Sequence, residues 1–180
     1  ARLAVEGGVA RASDVSIAGA GLSGRAATLT GEGEAVAFGD LALNVVLPST
    51  ALPGLPLPPG AYELRSNAGE LAGDRFRFAQ AVLVRSGPNE TYRLVNAELA
   101  GQRLTAAGVD LGPLSSRDFA ARPNFVQSGE ARLGLCRDPR SRELELRASS
   151  LSATPSGTVL GGASVNVLGL RLPLPQNLTL

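Results

Sequence analysis

An all-β fold, a jelly roll or solenoid-like stack of folded-over antiparallel strands, is predicted by three features of the sequence. Two stretches beginning 28 residues apart nearly coincide: Glu70-Leu71-Ala72-Gly73-Asp74-Arg75-Phe76-Arg77-Phe78-Ala79 and Glu98-Leu99-Ala100-Gly101-Gln102-Arg103-Leu104-Thr105-Ala106-Ala107. Each carries a β-type run, a Gly-polar turn and a second β-type run, and each follows a tyrosine-led run, Tyr62-Glu63-Leu64 or Tyr92-Arg93-Leu94. A strand–turn–strand unit repeated at this spacing buries its apolar face on the next layer. The 22 glycines and 12 prolines demand many turns, which favours short strands. Apolar residues alternate at Val15/Ile17, Leu41/Leu43/Val45, Phe76/Phe78 and Val109/Leu111, as a half-buried strand requires.

Along the chain, residues 9–46 form short runs that end at glycines. Gly19, Gly21, Gly24, Gly31, Gly33 and Gly39 would each cost a helix interior about 1 kcal/mol relative to Ala, so strands are expected. Residues 47–60 hold five prolines between leucines and cannot be a central strand, which makes them an apolar loop or flap. The repeat occupies 61–112. Residues 112–129 turn polar, with Pro113, Ser115-Ser116, Arg117-Asp118 and Pro123-Asn124, and are expected to form an irregular connection. Strands resume at 131–136 and at Glu143-Leu144-Glu145-Leu146-Arg147, and one or two more close the chain at Pro173. The whole is a single domain, residues 1–180, of twelve to sixteen short strands.

Composition narrows the chemistry. All 17 basic residues are Arg, there is no Lys or His, and 16 carboxylates bring the formal net charge to +1. That balance shows no basic footprint for nucleic acid. Without His, Lys or a second Cys, the common nucleophile–base pairs and zinc-ligand sets are missing, so neither catalysis nor a metal or other cofactor is expected. Cys136 reads as a small buried hydrophobe. The pairs Glu32/Glu34 and Glu143/Glu145 each share a strand face and read as solvated. Arg132, Arg137, Arg140, Arg142 and Arg147 are interleaved with acids and read as surface ion pairs, with an anion or lipid head-group patch as the alternative. No run reaches the ~20 apolar residues of a spanning helix.

The segment Tyr92–Leu111 resembles the β-layer repeat of the organic-solvent-tolerance family. This is the periplasmic module shared by the lipopolysaccharide-transport bridge protein and the outer-membrane lipopolysaccharide-assembly protein. The order Cys136-Arg137-Asp138-Pro139, then 143–151, a Gly-containing turn at Ser156-Gly157, then 162–173, is similar to the assembly protein. The likeness covers residues 60–176, and 9–46 more loosely. It implies a V-shaped antiparallel jelly roll whose apolar inner faces shield acyl chains in the periplasm. It further implies an envelope lipid as cargo, like modules bound by edge-strand pairing, and an outer-membrane component as docking partner.

The expected function is therefore non-catalytic: a periplasmic lipid-binding or transport module of outer-membrane, lipopolysaccharide-type assembly. The residues expected to line its groove are Phe76, Phe78, Val82, Leu94, Leu99, Leu104, Val109, Leu111, Leu144 and Leu146. The alternative is a structural cell-envelope or fibre module in which the same faces close into a dry core. Both present apolar residues inward, and alternation does not distinguish them.

Overall fold

A computed structural model of the chain describes residues 2–6, 8–19, 22–32, 34–47, 58, 60–85, 90–135, 143–175 and 177–179. Seventeen strands and no helix occur among them, all in antiparallel pairings. The first nine form an unbroken meander: β1 (Arg2–Glu6), β2 (Val9–Gly19), β3 (Leu22–Glu32), β4 (Ala35–Leu47), β5 (Gly60–Ala72), β6 (Arg75–Arg85), β7 (Thr91–Ala100), β8 (Arg103–Leu111) and β9 (Leu114–Arg122). Each pairs with the next.

From β2 to β9 these strands are long, up to 13 residues, and each is folded in the middle. Asp14, Asp40, Asn96 and Asp118 sit mid-strand with φ of 53°, 48°, 47° and 52°. Asp and Asn enter this left-handed region more readily than other side chains, which pay about 1–2 kcal/mol there. Each falls in a gap of the ladder. Ser13 pairs with Thr28 and Val15 with Ala26, leaving Asp14 and Ala27 unmatched. Ala106 pairs with Phe119 and Gly108 with Arg117, leaving Ala107 and Asp118. The gaps line up from strand to strand as a crease that divides the sheet into two leaves.

Beyond the crease the alternation restarts one residue out of step. Inward residues consequently recur at i, i+2, i+5 and i+7: Phe76, Phe78, Ala81, Leu83 in β6, then Tyr92, Leu94, Ala97, Leu99 in β7, then Leu104, Ala106, Val109, Leu111 in β8. In an unbroken strand the second pair would face solvent, since a one-residue shift flips every side chain. The extra residue keeps both pairs inside, so one strand lines both leaves.

After β9 the leaves separate. The second half of β9 pairs with β10 (Phe125–Ser128) and its first half with β11 (Ala131–Gly134). At the fork Gly129 N donates to Arg117 O and Arg117 N to Glu130 O, both at 2.9 Å. Leaf I continues from β11 through β12 (Leu144–Ala148), β15 (Ser164–Val167) and β16 (Leu170–Pro173). Leaf II continues from β10 through β13 (Ser150–Thr154), β14 (Gly157–Gly161) and β17 (Asn177–Thr179).

The core lies between the leaves. Leu41, Leu43, Leu64, Leu83, Leu94, Leu99, Leu104, Leu111 and Leu114 are all fully buried, each worth about 1.5–3 kcal/mol of apolar transfer. Packing at the crease is complementary. A Cβ on Gly69 would stand 3.1 Å from Leu41 Cδ2 and from Phe78 Cδ1, so this glycine leaves the space that the two large side chains occupy.

Three expectations need correction. The stretch 112–129 is not irregular: it contains β9 and β10, with Pro113 and Pro123 at the turns and Asp118 in the crease. The strands number seventeen among the described residues rather than twelve to sixteen, while the two copies of the 28-residue repeat are the strand–turn–strand units expected, successive hairpins that turn at Gly73 and Gly101 (φ 63° and 54°). The closing run forms β14, β15 and β16 instead of one or two strands. The proline-rich stretch 47–60 and Cys136 lie almost wholly or wholly outside the described residues.

Candidate functional site: the apolar interior and its uncapped end

Of the ten residues expected to line a groove, Phe76, Phe78, Leu94, Leu99, Leu104, Val109, Leu111 and Leu146 point between the leaves and are buried. Leu144 is half-buried. Val82 is a correction. It lies between the buried Ala81 and Leu83 and pairs with Arg65 and Arg93, which puts it on the outer face of leaf I. In the run Ala81-Val82-Leu83-Val84 every residue is apolar, so local parity was ambiguous. From β4 to β10 these side chains fill the space between the leaves; Leu43, Leu64 and Val126 have no exposure at all.

Among the described residues the interior is apolar apart from hydroxyls. Ser66 Oγ stands 2.6 Å from both Ala68 O and Gln80 O, and donates to one at a time. Ser116 Oγ is buried without a hydrogen-bond partner. Glu145 is the one buried carboxylate among the described residues, on the face opposite Leu144 and Leu146, where it accepts from Arg147 Nε at 2.6 Å. The expected solvated pair is thus corrected for Glu145, while Glu143 and Glu34 are exposed. Arg137, Arg140 and Arg142 lie outside the described residues.

At the β2–β3 end no described residue closes the interior. Inward positions there are Ala10, Ala12, Val15 and Ile17, then Gly24, Ala26, Leu29 and Gly31, most of them small. Only Ala26 is buried; Val15, Ile17 and Leu29 are partly covered and abut the core from one side. The leaves are also unequal at this end. Leaf II begins with β1, whereas leaf I begins with the second half of β2. The backbone of Val15–Gly19 therefore has a ladder partner on one side only among the described residues. At the opposite end, Leu168, Leu170 and Leu172 are exposed on β16 and the turn before it.

A polar cluster marks the rim of leaf I. Tyr62 Oη donates to Pro58 O at 2.7 Å and Tyr92 Oη to Glu90 Oε2 at 2.9 Å, while Arg85 Nη1 donates to the same carboxylate at 3.2 Å. Burial is the main cause that raises both phenol pKa values above the ordinary tyrosine range; the hydrogen bond to Glu90 adds to the rise at Tyr92.

Among the described residues no group of three or more His, Cys, Asp or Glu is placed to hold a metal, and no helix is long and apolar enough to cross a membrane. No known protein family, curated protein or solved structure matches the chain.

Proposed function

We propose that this protein is a non-catalytic module that holds or passes an amphipathic envelope lipid of the lipopolysaccharide type, in the periplasm, as part of outer-membrane assembly. The observation that carries the reading is the uncapped β2–β3 end, where apolar inward side chains are only half covered and the inward positions are small. An acyl chain laid against Val15, Ile17 and Leu29 gains about 25 cal/mol per Å² of apolar surface removed from water, or about 0.8 kcal/mol per methylene. The head-group stays wet at the rim. The single-sided edge at Val15–Gly19 lets a like module, or an outer-membrane component, add a strand and continue the apolar interior.

The test is photo-crosslinking with benzoylphenylalanine placed at Ile17 and at Leu29, with outer-face Val159 on leaf II as control, against lipopolysaccharide. Adducts at Ile17 and Leu29 and none at Val159 are expected, and Ile17→Asp in a folded protein should abolish them at Leu29. Equal labelling at Val159, or no adduct and no co-purified acyl chain by native mass spectrometry, counts against the reading. Asp at Leu104 is a poorer probe, because that side chain is 1% exposed and an uncompensated carboxylate there would unfold the protein.

A second reading, a structural envelope module with a dry core, is favoured by the filled interior from β4 to β9. A protein that purifies without lipid and assembles end to end would support it.

A further inference from the structure

The register places five arginines on one line across the outside of leaf I. Following the pairs from strand to strand gives Ser16, Arg25, Ala42, Arg65, Val82, Arg93, Asp110, Ser115, Arg132, Arg147, Ser164 and Pro173. One acid, Asp110, stands among them. Arg132 and Arg147 face each other directly across β11 and β12, a like-charge pairing that sheets normally avoid. Arg65 is neutralised by Glu63 and Arg147 by Glu145, but Arg25, Arg93 and Arg132 have no ion pair among the described residues. The corresponding line on leaf II holds Arg11, Glu70, Arg77 and Glu98, which balance, with Arg77 Nε bonded to Glu98 Oε2 at 3.1 Å. A net charge of +1 hides this segregation.

A second feature lies on the same line. Between Arg93, Arg117 and Arg132 the surface dips into a depression of about 390 Å³, lined also by Val95, Gly108 and Ser115 and by two acids, Asp110 and Glu130, of which Glu130 pairs with Arg117 at 3.5 Å. Gly108 offers no side chain, and Val95 is 47% exposed.

We propose that this line is a docking track for a flexible chain of phosphate groups, gripped chiefly at Arg25, Arg93 and Arg132, the three arginines without an ion pair among the described residues. Eight ladder steps separate Arg25 from Arg147, about 38 Å at ~4.8 Å per strand. A sheet turns by roughly 20–25° per strand, so the line winds about the long axis. A flat bilayer would meet only two or three of these arginines at once, whereas a flexible polyanion follows all of them. The line carries no aromatic side chain, so bases would add nothing to a phosphate backbone.

The experiment is fluorescence anisotropy with labelled inorganic polyphosphate and with single-stranded oligo-dT at equal phosphate content. Polyphosphate should bind at least as tightly as oligo-dT, with log K falling by about 2 per decade of salt, as about three phosphate contacts at Arg25, Arg93 and Arg132 require at ~0.7 each. Arg93→Gln with Arg132→Gln should weaken binding about tenfold or more, the two Arg→Lys changes should largely restore it, and Arg75→Gln with Arg77→Gln on leaf II should change it less than twofold. Equal loss from the leaf II pair would overturn the track in favour of diffuse charge. Tighter binding of oligo-dT would show base recognition and overturn it, as would tighter, Arg93- and Arg132-dependent binding to vesicles containing phosphatidylglycerol. Undetectable binding of polyphosphate at low salt would end it. Circular dichroism confirms that each variant is folded.

Discussion

Tyr62 and Tyr92 hold their ring centroids 6.0 Å apart, tilted by 53°, at the rim of leaf I, and each buries its ring while its hydroxyl finds a separate acceptor. They are the two tyrosines of a chain that has no lysine. Side chains whose ordinary pKa lies near 10 are therefore confined to this pair. Both folded-state pKa values are raised, so above pH 10 the unfolded chain releases protons that the folded one retains. Stability is then full below about pH 10 and falls as pH rises beyond it. Thermal denaturation from pH 9 to 11.5 should show Tm dropping, and Tyr62→Phe with Tyr92→Phe should flatten that drop. A slope unchanged in the double variant would remove the rim cluster as its cause.

The crease makes a prediction at Asn96, whose φ is 47°. Asn96→Gly should leave stability within about 0.5 kcal/mol, because glycine adopts this conformation freely. Asn96→Val should cost about 1–2 kcal/mol or more, since a β-branched side chain is strained there. Urea denaturation of the two variants compares them directly, and equal midpoints would mean that the fold of β7 does not rest on this residue.

Glycines on the inner face differ in the space around them. A Cβ at Gly24 would collide with the carbonyl oxygen of Ala42, a backbone atom on the paired strand, while at Gly31 the nearest atom is 3.9 Å away. Gly24→Ala is expected to destabilise by about 1–3 kcal/mol and Gly31→Ala by less than about 0.5 kcal/mol. The order of the two denaturation midpoints checks this.

Neighbours Val82 and Leu83 test the register. Leu83 is 1% exposed inside, and Val82 lies outside between two arginines. Leu83→Ala should cost about 2–5 kcal/mol and Val82→Ala under about 1 kcal/mol. A reversed order would mean that β6 pairs one residue out of step.

Much of the fold was legible in single strands. Alternation at Leu41/Leu43/Val45 and at Val109/Leu111 marks residues that do face inward, and the Gly73 and Gly101 turns stand where the repeat puts them. The i, i+2, i+5, i+7 spacing of Tyr92, Leu94, Ala97 and Leu99 was also open to inspection, and it is the signal for the crease. A period of two breaks at that point, so plain alternation does not reveal it. The strand through Arg117-Asp118 reads as a loop for the same reason, its hinge residue being polar and its outward positions Ser115, Arg117, Ala120 and Arg122.

Other features have no local signature. Which residue of Ala81-Val82-Leu83-Val84 faces in depends on pairing with β5 and β7. The half-covered end at Val15, Ile17 and Leu29 depends on leaf I starting one strand later than leaf II. The arginine line unites residues up to 122 positions apart, from Arg25 to Arg147.

By itself the sequence determined the β class, the turns and most of the inward side chains, because these follow from backbone preferences and a period felt over a few residues. Tertiary structure alone decided where the leaves part, which edge lacks a neighbour and which charges share a line. Those properties belong to hydrogen-bonded pairings between distant strands, and they arise only when cross-strand register places far-apart residues about 5 Å from one another.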